Sequence, residues 1–223
     1  IPCYNSGATI ERAIKSVVSQ TLLPKEIIIV DDCSSDIGMK AVLEVIKDRY
    51  AHLVDIKLIY AGENGGAGTA RNIGCSEAKC EYIAFLDSDD VWHPDKLKIQ
   101  FNYMNNHRDV YFTCHHMQII GDNDSAFFRK NVSITEKDII SINPVRYLFK
   151  HYPRGGTPSI MVKKTDLKFD SGKRYSEDYL LWLEYCFHYK GVLLDAELAA
   201  AYKAIYGACL LYTSPSPRDP KTS

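Results

Sequence analysis

The sequence predicts an α/β fold, with a mostly parallel central sheet flanked by helices in a single domain. Short apolar runs rich in β-branched residues, at 27–30, 56–60 and 82–86, alternate with segments whose apolar residues recur at helical spacing. The β-branched run at 27–30 shows no polar alternation, which suits a strand buried on both faces, and strands alternating with helices suit a mostly parallel sheet. The chain has 223 residues, 46% hydrophobic and 25% charged, enough for one core and for apolar burial to offset the entropy of ordering.

The first helix follows from Ile10, Ala13, Ile14, Val17 and Val18, and Leu22-Leu23-Pro24 ends it. The strand at 27–30 runs into a polar turn, Asp31-Asp32-Cys33-Ser34-Ser35-Asp36. Residues 39–49 read as a helix with Val42, Val45 and Ile46 inward. A strand at 56–60 and a loop at 62–68 precede a short helix at 69–78. The strand at 82–86 ends in Asp87-Ser88-Asp89-Asp90. Pro94 stands at a helix start, with Leu97, Phe101 and Met104 as the apolar face. The second half is less regular. Strands and loops are expected over 110–135, short helices interrupted by Pro144 over 138–152, and a strand over 157–162. A helix over 176–189, with Ser176 as its N-cap, and a strand over 192–203 complete the expected domain, 1–208.

Both ends depart from this pattern. Ile1-Pro2-Cys3-Tyr4-Asn5 places one apolar residue before a polar loop, so the first strand is expected to lack its start. The stretch from Cys209 to Asp219 resembles the conceptual translation of a transposase adapter used in sequencing libraries. Residues 209–223 are therefore expected to be a disordered tail, an artefact without fold meaning.

Twenty-seven basic and 28 acidic residues give a net charge of −1, which argues against a nucleic-acid binder working by bulk charge. No apolar run approaches the ~20 residues of a membrane span, and no leader pattern opens the chain. The seven cysteines are odd in number and lack CxxC spacing, which favours reduced thiols over a disulfide framework or zinc site. These features together point to a cytoplasmic protein. In Cys114-His115-His116 a strand would send the two histidines to opposite faces, which argues against a shared metal.

Ligands of parallel sheets bind beyond the carboxyl ends of the strands. Three strand ends here are polar: Tyr4-Asn5, Asp31-Asp32 and 87–90. Three carboxylates within four residues repel one another unless a hard cation such as Mg²⁺ or Mn²⁺ joins them, typically beside substrate phosphate. The alternative is a solvated turn in which Ser88 or Asp90 caps the next helix. Asp31-Asp32 suits hydrogen bonds to a ribose or base, or a turn capping the helix near Ile37. The run Gly65-Gly66-Ala67-Gly68 lacks the spacing of a dinucleotide loop and reads as a flexible turn. Glu177-Asp178 suits the first turn of a helix through the dipole, or a general base held at a rigid helix start.

These pieces, in this order, resemble family-2 glycosyltransferases of the Rossmann-like GT-A fold. The matching segments are Pro2-Cys3-Tyr4-Asn5, residues 29–36, Asn64-Gly65-Gly66 with residues 70–74, residues 85–92 and residues 177–183. The resemblance implies inverting transfer from a nucleotide-diphosphate sugar, most often a UDP-sugar, with metal-assisted departure of the diphosphate. It implies that Tyr4 packs beside the base in a pocket shaped by Pro2 and Asn5. Asp32 would bond the base, Asp31 would support the loop, and Asn64, Gly65 and Arg71 would lie near the nucleotide. Asp89 would face ribose or metal and Asp90 the metal and diphosphate. Asp87 could share either role, with Ser88 between them. Asp178 would be the general base with Glu177 beside it, and Trp182 would pack in the core. The implied partners are a nucleotide-sugar donor and a glycan or lipid-linked glycan acceptor, with no nucleic acid. A lipid-linked acceptor would bring peripheral membrane contact, and cell-surface polysaccharide or lipopolysaccharide would be the product. Two rivals are a non-catalytic or truncation-inactivated nucleotide-sugar binder and a sugar-nucleotide pyrophosphorylase. The latter needs a basic, Gly-rich N-terminal loop that residues 3–12 do not supply.

Overall fold

Three parallel strands carry the first half of the chain. The computed structural model describes residues 1–121, 125–130, 132–142, 156–173 and 176–203. Strands β1 (Pro2–Cys3), β2 (Glu26–Asp31) and β3 (Asp55–Tyr60) lie side by side in that order. Helices α1 (Ile10–Val18) and α2 (Met39–Tyr50) make the crossovers. Helix α3 (Ala67–Glu77) leads to β4 (Tyr82–Ala84). The second half adds β5 (Val91–Trp92), α4 (Lys96–Asn106), β6 (Val110–Gly121), β7 (Ile139–Ser141), β8 (Met161–Lys163), α5 (Glu177–His188) and β9 (Lys190–Lys203). These strands form a second sheet in the order β4-β8-β6-β9-β5, with β7 paired on β9. The two long ladders, β2 with β3 and β6 with β9, are parallel; the antiparallel pairings are short.

Burial explains the order. Ile10, Ile14, Ile29, Leu43, Leu86, Met104 and Leu194 are fully buried in one cluster that spans both sheets. Each such side chain contributes roughly 1.5–3 kcal/mol. A second cluster forms under α5, where the Trp182 ring lies 5.2 Å from Phe85 and 5.4 Å from Phe169. Trp182 is thus a core residue, as its position one turn into the helix implied.

No ladder joins β1 to β4 among the described residues. A cleft of about 690 Å³, lined in part by Ile1, Ile28, Cys75, Phe85 and Met161, lies between the sheets. The Ile1 α-amino group donates to the Ile28 carbonyl at 2.8 Å, and burial lowers its pKa to about 6.

Several expectations are corrected. In α2 the buried stripe is Met39, Leu43 and Ile46, with Val42 packed half-buried beside it as expected, while Val45 is exposed because it falls off that face at 3.6 residues per turn. Helix α4 begins two residues after Pro94, and neither Ser88 nor Asp90 caps it; Asp95 precedes its first turn. The helix expected from 138 is instead the strand β7, after one 3₁₀ turn at Glu136–Asp138. There the Asp138 carboxylate accepts from the Thr135 amide at 2.7 Å, and the β-branched Ile139 and Ile140 then extend along β9. Residues 143–152 of that expectation lie outside the described residues. The strand expected over 157–162 is a 3₁₀ turn at Thr157–Ser159 followed by β8, since Pro158 has no N–H for a ladder. Ser176 precedes α5 but makes no capping hydrogen bond through its side chain; its backbone is left-handed at φ 59°. His115 is fully buried, and His116 lies 3.3 Å from Asp195 at the surface. The expected tail, 209–223, lies outside the described residues.

Candidate functional site at the carboxyl ends of the strands

The register of β1 against β2 sets Cys3 beside Asp31, so the two strands end together. Beyond them the Asn5 amide donates to Ser34 Oγ at 2.9 Å, and the Asn5 side-chain oxygen accepts from the Asp36 amide at 3.0 Å. Asp31 Oδ1 accepts from the amide and hydroxyl of Ser34, which closes the turn locally. Tyr4 projects from this corner about half exposed, and Pro2 is buried in β1 opposite Val30. Asn5 and Cys33 both hold positive φ, at 50° and 58°.

Asp32 reaches the other way. Its two carboxylate oxygens accept from the Gly65 amide at 2.9 Å and the Gly66 amide at 2.8 Å, and Asn64 Nδ2 donates to its carbonyl at 3.1 Å. These amides precede α3, where backbone donors lack helical partners and negative charge suits the dipole. Asp32 therefore pins the loop that composition alone presented as a flexible turn. Gly66 has φ 85°, a conformation open to glycine at little cost.

Helix α3 carries Arg71 to the centre of the site. Arg71 is 8% exposed, and its Nη2 lies 2.7 Å from Asp87 and its Nη1 3.1 Å from Glu177. One guanidinium thus joins Asp87, in the loop after β4, to Glu177 at the start of α5, 90 residues further along the chain. Burial raises the Glu177 pKa, and the Arg71 charge partly opposes this. Close approach of α3 to α5 requires Gly68: an added Cβ would sit 2.8 Å from Glu177 Cγ and 3.3 Å from Phe169 Cβ. Gly68→Ala is expected to cost about 1–3 kcal/mol, because this packed contact must open. Equilibrium urea unfolding checks it, and a loss below about 0.5 kcal/mol would contradict the close contact.

Asp178 lies next to Glu177 but in a different environment. It is half-buried and accepts a hydrogen bond from the Thr157 hydroxyl at 3.0 Å. Its other oxygen accepts from the Tyr179 amide at 2.7 Å.

The acidic loop shows graded exposure. Asp90 is buried, Asp87 and Ser88 are half-buried and Asp89 is exposed. Burial, and then the charges of Asp87 and Asp89, push the Asp90 pKa upward. The Tyr202 amide donates to Asp90 at 3.3 Å. Arg12 of α1 donates to the Asp89 carbonyl at 2.6 Å and lies 3.4 Å over the Tyr202 ring. Among the described residues no three His, Cys, Asp or Glu side chains form a ready-made metal cage. The donor set does fit a hard divalent cation that takes one or two carboxylates and completes its shell with phosphate oxygens and water. The upward shift of Asp90 marks negative charge that such a cation would relieve.

Hydrogen bonds link the polar strand ends: Asn5 meets 34–36, Asp32 holds the start of α3, and Arg71 of α3 meets Asp87 and Glu177. Four residues at the site were not foreseen: Arg12, Ser34, Gly68 and Thr157. Helical periodicity gave no sign of Arg12, which lies across α1 from the buried stripe Ile10, Ala13, Ile14 and Val17. Thr157 left none either, since its partner is 21 residues away in an irregular region.

A family model described as glycosyl transferase family 2 matches residues 1–168. An uncharacterized glycosyltransferase of Rickettsia typhi is 34% identical over 189 residues, 83% of this chain and 57% of that protein. The poly(ribitol-phosphate) β-N-acetylglucosaminyltransferase TarP of Staphylococcus aureus is 32% identical over 204 residues, 88% of this chain and 59% of that protein. The crystal structure of S. aureus TarS residues 1–349 in complex with UDP-GlcNAc matches with a TM-score of 0.72 at 22% identity, covering 92% of this chain and 58% of that one. That last likeness establishes the fold. The chain spans somewhat more than half the length of these relatives. With the family model covering both the strand ends and the acidic loop, the chain belongs to glycosyl transferase family 2.

Proposed function

We propose that this chain is the donor-binding and catalytic part of an inverting glycosyltransferase. It moves a sugar from a nucleotide-diphosphate sugar, foremost a UDP-sugar, to an acceptor hydroxyl on a cell-surface glycan or lipid-linked glycan. The observation that carries the reading is the Arg71 bridge, which brings the acidic loop and the Glu177–Asp178 helix start to one place. The named activities of the relatives, and the UDP-GlcNAc complex of TarS, support the donor class.

On this reading the exposed Tyr4 ring packs against the base, in the corner shaped by Pro2, Asn5 and Asp31. Asp32 fixes the Asn64-Gly65 loop and keeps lone pairs toward the base. Asp87 and Ser88 face the ribose and donor side. Asp89 and Asp90 would hold a divalent cation, which when bound supplies Lewis-acid stabilisation of the departing diphosphate. Glu177 is held by Arg71, so its lone pairs are engaged by a permanent cation. Asp178, which accepts from the Thr157 hydroxyl, is the more exposed of the two. It therefore takes the proton of the acceptor hydroxyl as that oxygen attacks the anomeric carbon opposite the leaving group. One displacement from that face inverts the centre. Among the described residues no helix is long and apolar enough to cross a membrane. Contact with a lipid-linked acceptor would be peripheral.

Thermal unfolding with UDP, with and without Mn²⁺, tests the donor site, with GDP and NAD as controls. UDP at about 100 times its Kd should add about 2.7 kcal/mol, a shift of several degrees. The shift should require Mn²⁺ and vanish in Asp90→Ala. A cooperative melt that UDP and Mn²⁺ leave in place would refute the UDP-sugar reading. Binding without turnover on any acceptor would make the chain a non-catalytic binder.

A further inference from the structure

Three side chains spaced four apart, Trp92, Lys96 and Gln100, donate to three successive backbone carbonyls. Trp92 Nε1 donates to the Pro158 carbonyl at 2.9 Å, Gln100 Nε2 to Ser159 at 3.0 Å and Lys96 Nζ to Ile160 at 3.4 Å. Lys96 and Gln100 are fully buried, as is Ser159, and Thr157 is 2% exposed. The Lys96 ammonium lies 4.0 Å from the Trp92 ring centre, and burial draws its pKa far below the ordinary lysine value. A long cationic side chain is an expensive way to fill a core. An apolar residue would pack the same space, so the donor function needs a reason. The Ile160 carbonyl also accepts from the Phe85 amide at 3.4 Å, which ties the turn to the chain entering the acidic loop.

The turn these donors grip is the 3₁₀ turn Thr157–Ser159: the Thr157 carbonyl accepts from the Ile160 amide at 3.0 Å, and Trp92 and Gln100 meet the next two carbonyls. Its first residue presents the hydroxyl that reaches Asp178. We infer that Trp92, Lys96 and Gln100 are positioning residues for sugar transfer: they fix this turn so that the Thr157 hydroxyl holds the Asp178 carboxylate in one orientation. The inference rests on Asp178 being the base. It adds the device that aims it, a row of donors on β5 and α4 acting through a turn about 60 residues away in sequence. Displacing a reacting group by about 1 Å costs as much as 10²-fold in rate.

The test compares UDP release from UDP-N-acetylglucosamine, with water or glycan as acceptor, with UDP affinity by calorimetry. Thr157→Val should lower kcat by about 10–100-fold and Thr157→Ser by no more than about threefold, while Trp92→Phe and Lys96→Met each lose roughly 3–10-fold. UDP affinity should stay within about threefold in all four, because the donor contacts are untouched. In an Asp178→Asn background, Thr157→Val should have no further effect. Should Lys96→Met fail to fold, Trp92→Phe, which keeps a ring and removes the N–H, carries the same comparison. Unchanged turnover in Thr157→Val beside an inactive Asp178→Asn overturns the positioning role alone. Turnover and UDP affinity falling in step, or no rescue by serine, also overturns it. Full turnover in Asp178→Asn, or no UDP release by the unaltered chain, overturns the base reading and this inference together.

Discussion

Asp178→Asn is expected to lower sugar transfer by about 10²–10⁴-fold while leaving UDP affinity within about threefold. The amide has nearly the shape of the carboxylate: its oxygen can keep the bond from the Tyr179 amide while its NH2 donates to the Thr157 hydroxyl, so local geometry should persist. What it lacks is a site for the acceptor proton at neutral pH. The neighbouring Glu177 should not substitute, since it is buried and paired with Arg71. Initial rates over a range of acceptor concentrations, beside calorimetric titration with UDP, separate the outcomes. A variant that loses UDP binding in proportion to its rate would remove Asp178 from the base role and make it a donor contact.

Arg71→Met should be the most destabilising substitution in the site, at about 3–5 kcal/mol near neutral pH, because it leaves buried Glu177 without its cation. The effect should also depend on pH. Burial already raises the Glu177 pKa above the ordinary carboxylate value of 4.5, and Arg71 opposes that rise. Removing the guanidinium raises it further. A group whose pKa is higher in the folded than in the unfolded state favours folding below the unfolded value and loses that contribution as pH rises. The deficit of the variant is therefore expected to be greatest at pH 7–8 and to shrink as pH falls toward about 4.5. Urea unfolding at several pH values measures it. A loss below about 1 kcal/mol, or one that is flat with pH, would mean that Arg71 is not a structural keystone of the bridge.

The first half of the fold was legible because each element is local and single-minded. The apolar run of β2 cannot face water on either side, and α1 carries one stripe, Ile10, Ala13, Ile14 and Val17, that is buried throughout. The polar strand ends were legible for the same reason: Asp31-Asp32 and 87–90 interrupt apolar runs abruptly. The second half resisted because its elements depend on distant partners. Ile139 and Ile140 have the composition of either a helix or a strand, and β9 alone decides between them. The two-residue β5 exists only through its pairing with Ala199 and Ala200. In the site, the residue types pointed to acid, base and cation chemistry, but not to who meets whom. Arg71 was read as lying near the nucleotide, and no spacing rule foretells that it spans Asp87 and Glu177. Likewise nothing local reveals that the carboxylate of Asp32 is engaged by Gly65 and Gly66.

Asn5, Cys33 and Ser176 all sit in left-handed backbone, and each adjoins a side chain assigned to donor or acceptor. For residues bearing a Cβ this conformation costs about 1–2 kcal/mol apiece. Their tension is held by the packed cores under α1 and α5. Glycine at these corners would relax the chain and at the same time free the corners to wander. On the proposed reading, the protein forgoes some robustness so that Tyr4, Asp32 and Glu177 are held in place before a ligand arrives.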